Sequence, residues 1–192
     1  MRVLGIDPGS RVMGLAVTQK VQNQIQIIAC EAISLVAEGD HPERLKKIYS
    51  EVESWIRNYQ PDTTIVETPV YGMDPMAMLK LGRAQAAVIL SSLHNQVPVQ
   101  EIFPKAVKKG ITGNGNASKE QVAFMLRKLL PGQDIPSSTD ATDALAISVS
   151  AILKEQVGGK NNPSFSSKKT DKKGSNSWSS FIKENPDRIK TS

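Results

Sequence analysis

Two short apolar runs in this chain each end on a carboxylate. Val3-Leu4-Gly5-Ile6 leads into Asp7 and then at once into Pro8-Gly9-Ser10, and Thr63-Thr64-Ile65-Val66 leads into Glu67. Runs of this length and composition, bounded by turn residues, form strands. An acid at the last position of each therefore predicts two strand ends carrying carboxylates at one rim of a sheet. Further along, Asp140 and Asp143 stand three residues apart at the head of an Ala/Leu/Ile helix, so they share one helical face. Carboxylates at apolar positions are costly unless a cation meets them. A pair of divalent cations held by a cluster of oxygen ligands accounts for all four, and such a centre hydrolyses phosphodiester bonds. Each acid also has an ordinary explanation. Asp7 can close an Asx turn, Glu67 can end a strand at the surface, and Asp140 can favour a helix N-terminus through the macrodipole. None of these accounts for the four together.

The other periodicities set the architecture. Val3–Asp7, Met13–Thr18 and Gln24–Ile33 read as strands, with Gln22-Asn23-Gln24 as a hairpin connection. From Pro42 to Asn58 the period becomes helical, and Leu45, Ile48, Tyr49, Val52, Trp55 and Ile56 make one core-facing stripe. A strand ending at Glu67 precedes a loop bracketed by Pro69 and Pro75. A long helix follows, about Met76–Asn95, rich in small residues at Gly82, Ala84, Ala86 and Ala87. Val97–Phe103 reads as a fifth strand and Lys105–Gly110 as a short helix. Ser118 and Gln121 form a capping-box pattern ahead of a helix to Leu130, ended by Pro131. Ser138 or Thr139 caps the last helix, which runs to about Lys154. This order predicts an α/β three-layer fold.

Charge divides the chain. Residues 158–192 hold eight Lys/Arg against three Asp/Glu, so the net charge of +5 belongs to that tail and residues 1–157 are neutral. Any nucleic-acid binding by the body must then come from local clusters. The expected organisation is a domain over 1–157 followed by a basic tail whose Ser/Lys/Asn-rich start cannot order itself. Trp178, Phe181 and Ile182, spaced i, i+3, i+4, suit a short docking helix there. The single Cys30 excludes an intrachain disulfide and, within an apolar run, reads as a buried inert thiol. No leader pattern and no membrane-length apolar run is visible, so the expected compartment is the cytoplasm.

Five segments, in order, resemble one family. Met1-Arg2-Val3-Leu4-Gly5-Ile6-Asp7-Pro8-Gly9-Ser10-Arg11-Val12-Met13-Gly14, Ile65-Val66-Glu67, Leu79-Lys80-Leu81-Gly82-Arg83-Ala84-Gln85, Val107-Lys108 with Gly113-Asn114-Gly115-Asn116-Ala117-Ser118-Lys119-Glu120-Gln121-Val122, and Asp140-Ala141-Thr142-Asp143-Ala144-Leu145-Ala146 are similar to the RuvC family of bacterial Holliday-junction resolvases. The resemblance covers residues 1 to about 153. It implies an RNase H-like fold with a mixed five-stranded sheet flanked by helices. It also implies an endodeoxyribonuclease that resolves four-way junctions in recombination and DNA repair, leaving ends that a ligase can seal.

By the same resemblance Asp7, Glu67, Asp140 and Asp143 are the catalytic carboxylates and ligands of two Mg²⁺ ions per site, ~4 Å apart, for which Mn²⁺ can substitute. Asp7 would bridge the two ions. Lys108 and Lys119 would position and neutralise phosphate, Tyr71 would supply an aromatic near the crossover, and Gly113, Gly115 and Asn116 would bring backbone N–H groups to a phosphate. Lys80, Arg83, Lys105 and Lys109 would extend the basic surface. The implied partners are four-way junction DNA, a second copy of the chain through the small-residue face of the long helix, and a branch-migration motor of the RuvA-RuvB type. One segment departs from the family: Met73-Asp74 stands where it usually carries Lys-Asn. His41 and His94 lie away from the motifs and receive no role. The rivals are an RNase H-like nuclease acting on RNA, a non-catalytic DNA-binding module, and an actin-like ATPase or sugar kinase. The last would need a second phosphate loop and roughly twice the length.

Overall fold

The computed structural model describes residues 1–70, 72 and 74–157. The tail from 158 to 192, with its Trp178, Phe181 and Ile182 cluster, and Tyr71 lie outside the described residues. Strands β1 (Arg2–Asp7), β2 (Val12–Val21) and β3 (Gln24–Ser34) form an antiparallel meander, and a 3-10 turn over Val36–Glu38 leads to α1 (His41–Tyr59). Then come β4 (Thr63–Glu67), α2 (Pro75–His94), β5 (Val99–Ile102), α3 (Pro104–Thr112), α4 (Lys119–Leu129) and α5 (Thr139–Val157). The sheet order is β3-β2-β1-β4-β5, with β1 antiparallel to β2 but parallel to β4, and β4 parallel to β5. The expected mixed five-stranded sheet is present.

Period-two alternation along β1 feeds two cores. Leu4 and Ile6 face α1 and α2, joining Leu15, Val17, Val66, Ile48, Val52 and Trp55. Val3 faces the other side, where Ala16 and Ile65 meet α3, α4 and α5 through Val107, Ile111, Leu126, Leu145 and Ile152. Three layers result, each α layer covering one face of the sheet.

Local chemistry fixes the helix ends. Asp40 Oδ1 accepts from the Glu43 amide at 3.1 Å to start α1, and Gln60 closes it in the left-handed region at φ 48°. Ser118 and Gln121 make both bonds of the capping box at α4, 3.3 and 2.9 Å. Helix α2 starts one residue earlier than periodicity indicates, because Asp74 Oδ1 accepts from Met76 and Ala77 amides at 2.9 and 3.1 Å. The fifth strand is shorter than expected at both ends. The Val97 amide is bound to the Ser92 carbonyl at 3.0 Å, and Phe103 becomes the N-cap of α3.

Candidate active site

The pleat places the first two acids. Asp7 shares a face with Val3 and Gly5, and Glu67 shares a face with Ile65, so both side chains stand on the α5 side of the sheet. Ile6 and Val66 are register partners on the parallel pair β1/β4, so Asp7 and Glu67 follow directly at adjacent strand ends. Neighbouring strands lie about 4.8 Å apart, a spacing at which two carboxylates repel unless a cation intervenes.

Two glycines bring in the second pair. Gly14 is the register partner of Asp7 on β2. A methyl group on Gly14 would overlap the Asp140 carbonyl and stand 3.2 Å from the Ala144 Cβ. A methyl on Gly5 would stand 2.5 Å from the Ala144 carbonyl oxygen and 2.6 Å from the Ser148 nitrogen. Helix α5 therefore lies against bare backbone at both positions, and its first turn is seated beside the end of β1. Cys30 Sγ donates to the Ala141 carbonyl at 3.2 Å in that same turn. Cys30 is half-buried rather than buried, and desolvation pushes its thiol up to about 12, which fits an inert group.

The electrostatics report the crowding. Burial first, then the charges of Asp143 and Asp140, push Asp7 up to about 6. Burial first, then Asp7 and Asp143, push Glu67 up to about 7. Lys119, at the start of α4, offsets part of this, with its Nζ 2.6 Å from Asp143 Oδ2. That hydrogen bond raises the pKa of Lys119. Lys108, like Lys119, draws Glu67 back down in part. The corner thus joins four acids from β1, β4 and α5 with two lysines from α3 and α4.

The donor set is all carboxylate oxygen, which suits hard divalent cations such as Mg²⁺, Mn²⁺ or Ca²⁺ and not Zn²⁺ in a Cys/His site. Among the described residues no three acidic, His or Cys side chains stand close enough to enclose an ion. The elements nevertheless aim the four acids at one another, and their uncompensated charge is what a cation would relieve.

The remaining predicted residues divide. Lys108 and Lys119 lie at the acidic corner. The amide of Gly113 closes α3 on the Lys109 carbonyl at 2.9 Å, and that of Asn116 donates to Asn114 Oδ1 at 3.0 Å. Those two N–H groups are used within the loop, contrary to the expectation that they serve a phosphate. Gly115 packs 3.1 Å from the Lys105 carbonyl, measured from a methyl placed on it. In the Met73-Asp74 departure, Asp74 has a structural role as the N-cap of α2, and Met73 lies outside the described residues. Gly5 and Gly14 are the positions that sequence reasoning missed. The only signal for them was glycine inside strand patterns, which marks close backbone approach.

Three comparisons bear on this site. The family profile described as "Crossover junction endodeoxyribonuclease RuvC" matches residues 3–151. The crossover junction endodeoxyribonuclease RuvC of Cytophaga hutchinsonii is 41% identical over 98% of this chain and 88% of its own length. That of Salinibacter ruber is 40% identical over 98% and 99%. A solved structure of Thermus thermophilus RuvC in complex with a Holliday junction substrate superposes with a TM-score of 0.76 at 30% identity, covering 82% of this chain and 96% of that one.

Proposed function

Because the chain belongs to the RuvC family of crossover junction endodeoxyribonucleases, we propose that it resolves four-way DNA junctions by phosphodiester hydrolysis at the corner formed by Asp7, Glu67, Asp140 and Asp143. The observation that carries this reading is the meeting of those acids, from three separate elements, with Lys119 on Asp143. Two Mg²⁺ ions, replaceable by Mn²⁺, are the cofactors we assign. When bound, they supply a water of lowered pKa and neutralise charge on the phosphoryl oxygens and the leaving oxygen.

The protein's own residues do the rest. Asp7, at the end of the middle strand and beside Glu67 on the neighbouring one, would be held with Asp140 and Asp143 as part of the carboxylate set that takes the ions. Glu67, Asp140 and Asp143 would offer their carboxylates from strand and helix ends. Lys119 neutralises Asp143 before substrate arrives, and its flexible stem lets the ammonium turn to a phosphate oxygen as a point charge. Lys108 plays the same positioning part from α3. Gly113, Gly115 and Asn116 shape the loop between the two lysines, and Tyr71 is kept as the aromatic at the crossover.

Two symmetric cuts call for a symmetric dimer. The outer face of α2 supports one: Met76 is 61% exposed, Leu79 46%, Leu90 61% and Leu93 55%, with Gly82 and Ala86 exposed between them. A stripe of that spacing on one helix is an interface pattern. Family membership further supports coupling to a branch-migration motor of the RuvA-RuvB type, and work in the cytoplasm beside the chromosome. No helix among the described residues is long and apolar enough to cross a membrane. The deciding experiment compares Mg²⁺-dependent cutting of a synthetic four-way junction with cutting of an RNA hairpin. Paired symmetric nicks in the junction alone are expected. Cutting of the hairpin instead would move the chain to an RNA substrate, and binding without any cut would leave a DNA-binding module.

A further inference from the structure

A second charged feature, of the opposite sign, lies at the turn that follows Asp7, on the side of the sheet that α1 and α2 cover. A cavity of about 410 Å³ is lined by Ser10, Arg11, Asp40, His41, Arg44 and Lys80. These come from three places: the β1–β2 turn that begins at Asp7, the first turn of α1, and α2. Arg83, one turn further along α2, adds its charge. Desolvation first, then Arg83, Lys80 and Arg44 in that order, lower the pKa of His41. Among the described residues none of the four cations is ion-paired. The one acid in the lining, Asp40, already accepts the Glu43 amide with Oδ1.

Two nitrogens in this lining are buried without a hydrogen-bond partner, His41 Nε2 and Arg44 Nε. Buried polar nitrogens left unpaired are rare and costly. The Arg44 guanidinium is itself held, since Nη2 donates to the Gly39 carbonyl at 2.9 Å. A fixed guanidinium with a free N–H, a second Arg, a Lys and an imidazole together make a receptor for an oxyanion with several acceptor oxygens. The same chemistry would take a free phosphate or a phosphate in a nucleic-acid backbone. Position favours the backbone. Arg11 is four residues from Asp7, at most roughly 14 Å of extended chain, and phosphates recur about every 3.4 Å along a strand. A strand that runs past the carboxylates and over the β1–β2 turn would present phosphates within this reach.

We propose that this cavity is a second phosphate-binding site, which seats a backbone phosphodiester a few nucleotides from the one that is cut. It rests on the acidic corner being the DNA-cutting site, and it adds the anchor that sets the strand's register there. Arg11 and Lys80 are both exposed, so neutralising either empties no core.

The test uses the full-length chain with Lys80→Gln, Arg11→Gln and the charge-preserving Lys80→Arg. Binding to a four-way junction and to a plain duplex is followed by fluorescence anisotropy in Ca²⁺ across a salt series. Each glutamine variant is expected to weaken binding evenly across DNA sequences and to lower the slope of log K against log salt by about 0.9, one released counterion. Lys80→Arg is expected to keep the slope. The His41 ring signals in NMR are expected to shift on adding DNA in the wild type and not in Arg11→Gln. Wild-type slopes in both glutamine variants overturn the proposal. So do His41 shifts with inorganic phosphate equal to those with DNA, which would make the site one for a free phosphate ligand. Cutting of the junction by the wild-type protein, measured separately in Mg²⁺, judges the cleavage reading. Loss of slope without any cutting keeps the second site and removes that reading, whereas cutting with unchanged slopes does the reverse.

Discussion

Adding one methyl group at Gly14 should damage a site from which it contributes no functional atom. The Cβ of Gly14→Ala would overlap the Asp140 backbone carbonyl and press on Ala144, and backbone cannot rotate away as a side chain can. Helix α5 must then retreat by about an ångström at its first turn, carrying Asp140 and Asp143 from Asp7 and Glu67. A misplacement of about 1 Å in a catalytic constellation costs ~100-fold in rate. Overpacking of this kind costs about 2 kcal/mol, which for a chain of this size lowers Tm by about 4–8 °C. Single-turnover cleavage of a labelled junction in Mg²⁺ reads the first number, and thermal melting reads the second. Junction binding in Ca²⁺ should change little, since the lysines lie on α3 and α4. A folded Gly14→Ala protein with wild-type rate and Tm would refute the idea that close docking of α5 sets the ligand geometry.

Four further outcomes are expected. Asp7→Asn should abolish cleavage in Mg²⁺ while leaving junction binding in Ca²⁺ unchanged or tighter, as a gel shift will show, because one negative charge no longer opposes phosphate. Without divalent cations, stability should fall as pH rises from about 4 to about 7. The folded state holds protons on Asp7, raised to about 6, and Glu67, raised to about 7, that the unfolded chain has already released; Mg²⁺ should therefore raise Tm more at pH 8 than at pH 5. Leu90→Glu, on the exposed stripe of α2, should yield a monomer by light scattering with its fold intact, and an unchanged dimer would place the interface elsewhere. Deleting residues 158–192, which carry +5, should flatten the salt dependence of DNA binding yet spare turnover at saturating junction. Loss of saturated turnover would put the tail within the site or the dimer.

What the sequence made legible was local chemistry. Strand ends at Asp7 and Glu67, the Ser118–Gln121 capping box and the paired acids on α5 all depend on neighbours within four residues. The five-segment resemblance supplied the mixed five-stranded sheet that no periodicity could. What stayed hidden was contact across distance. Gly5 and Gly14 matter only because α5, more than a hundred residues later, lies on them. Arg11, His41 and Lys80 meet from three elements, and nothing in their spacing announces it. Asp74 looked like a lost lysine-asparagine pair until its carboxylate was found on the amides of α2. The amides of Gly113 and Asn116 looked available because sequence shows donors but not whether the loop has already satisfied them.

The position of β1 has a consequence for how the molecule comes apart. It is bonded on both edges, antiparallel to β2 and parallel to β4, and it contributes to both cores. Amides in such a strand open only with the whole domain, so their hydrogen exchange follows global unfolding, while loops and helix ends open at far lower free energy. Asp7 therefore sits in the most slowly exchanging unit of the fold. The loop carrying Asn114 to Asn116, whose own hydrogen bonds are short-range and exposed, belongs to the fastest. Under mild heat or denaturant this loop should open while the strand that holds the central carboxylate is still protected.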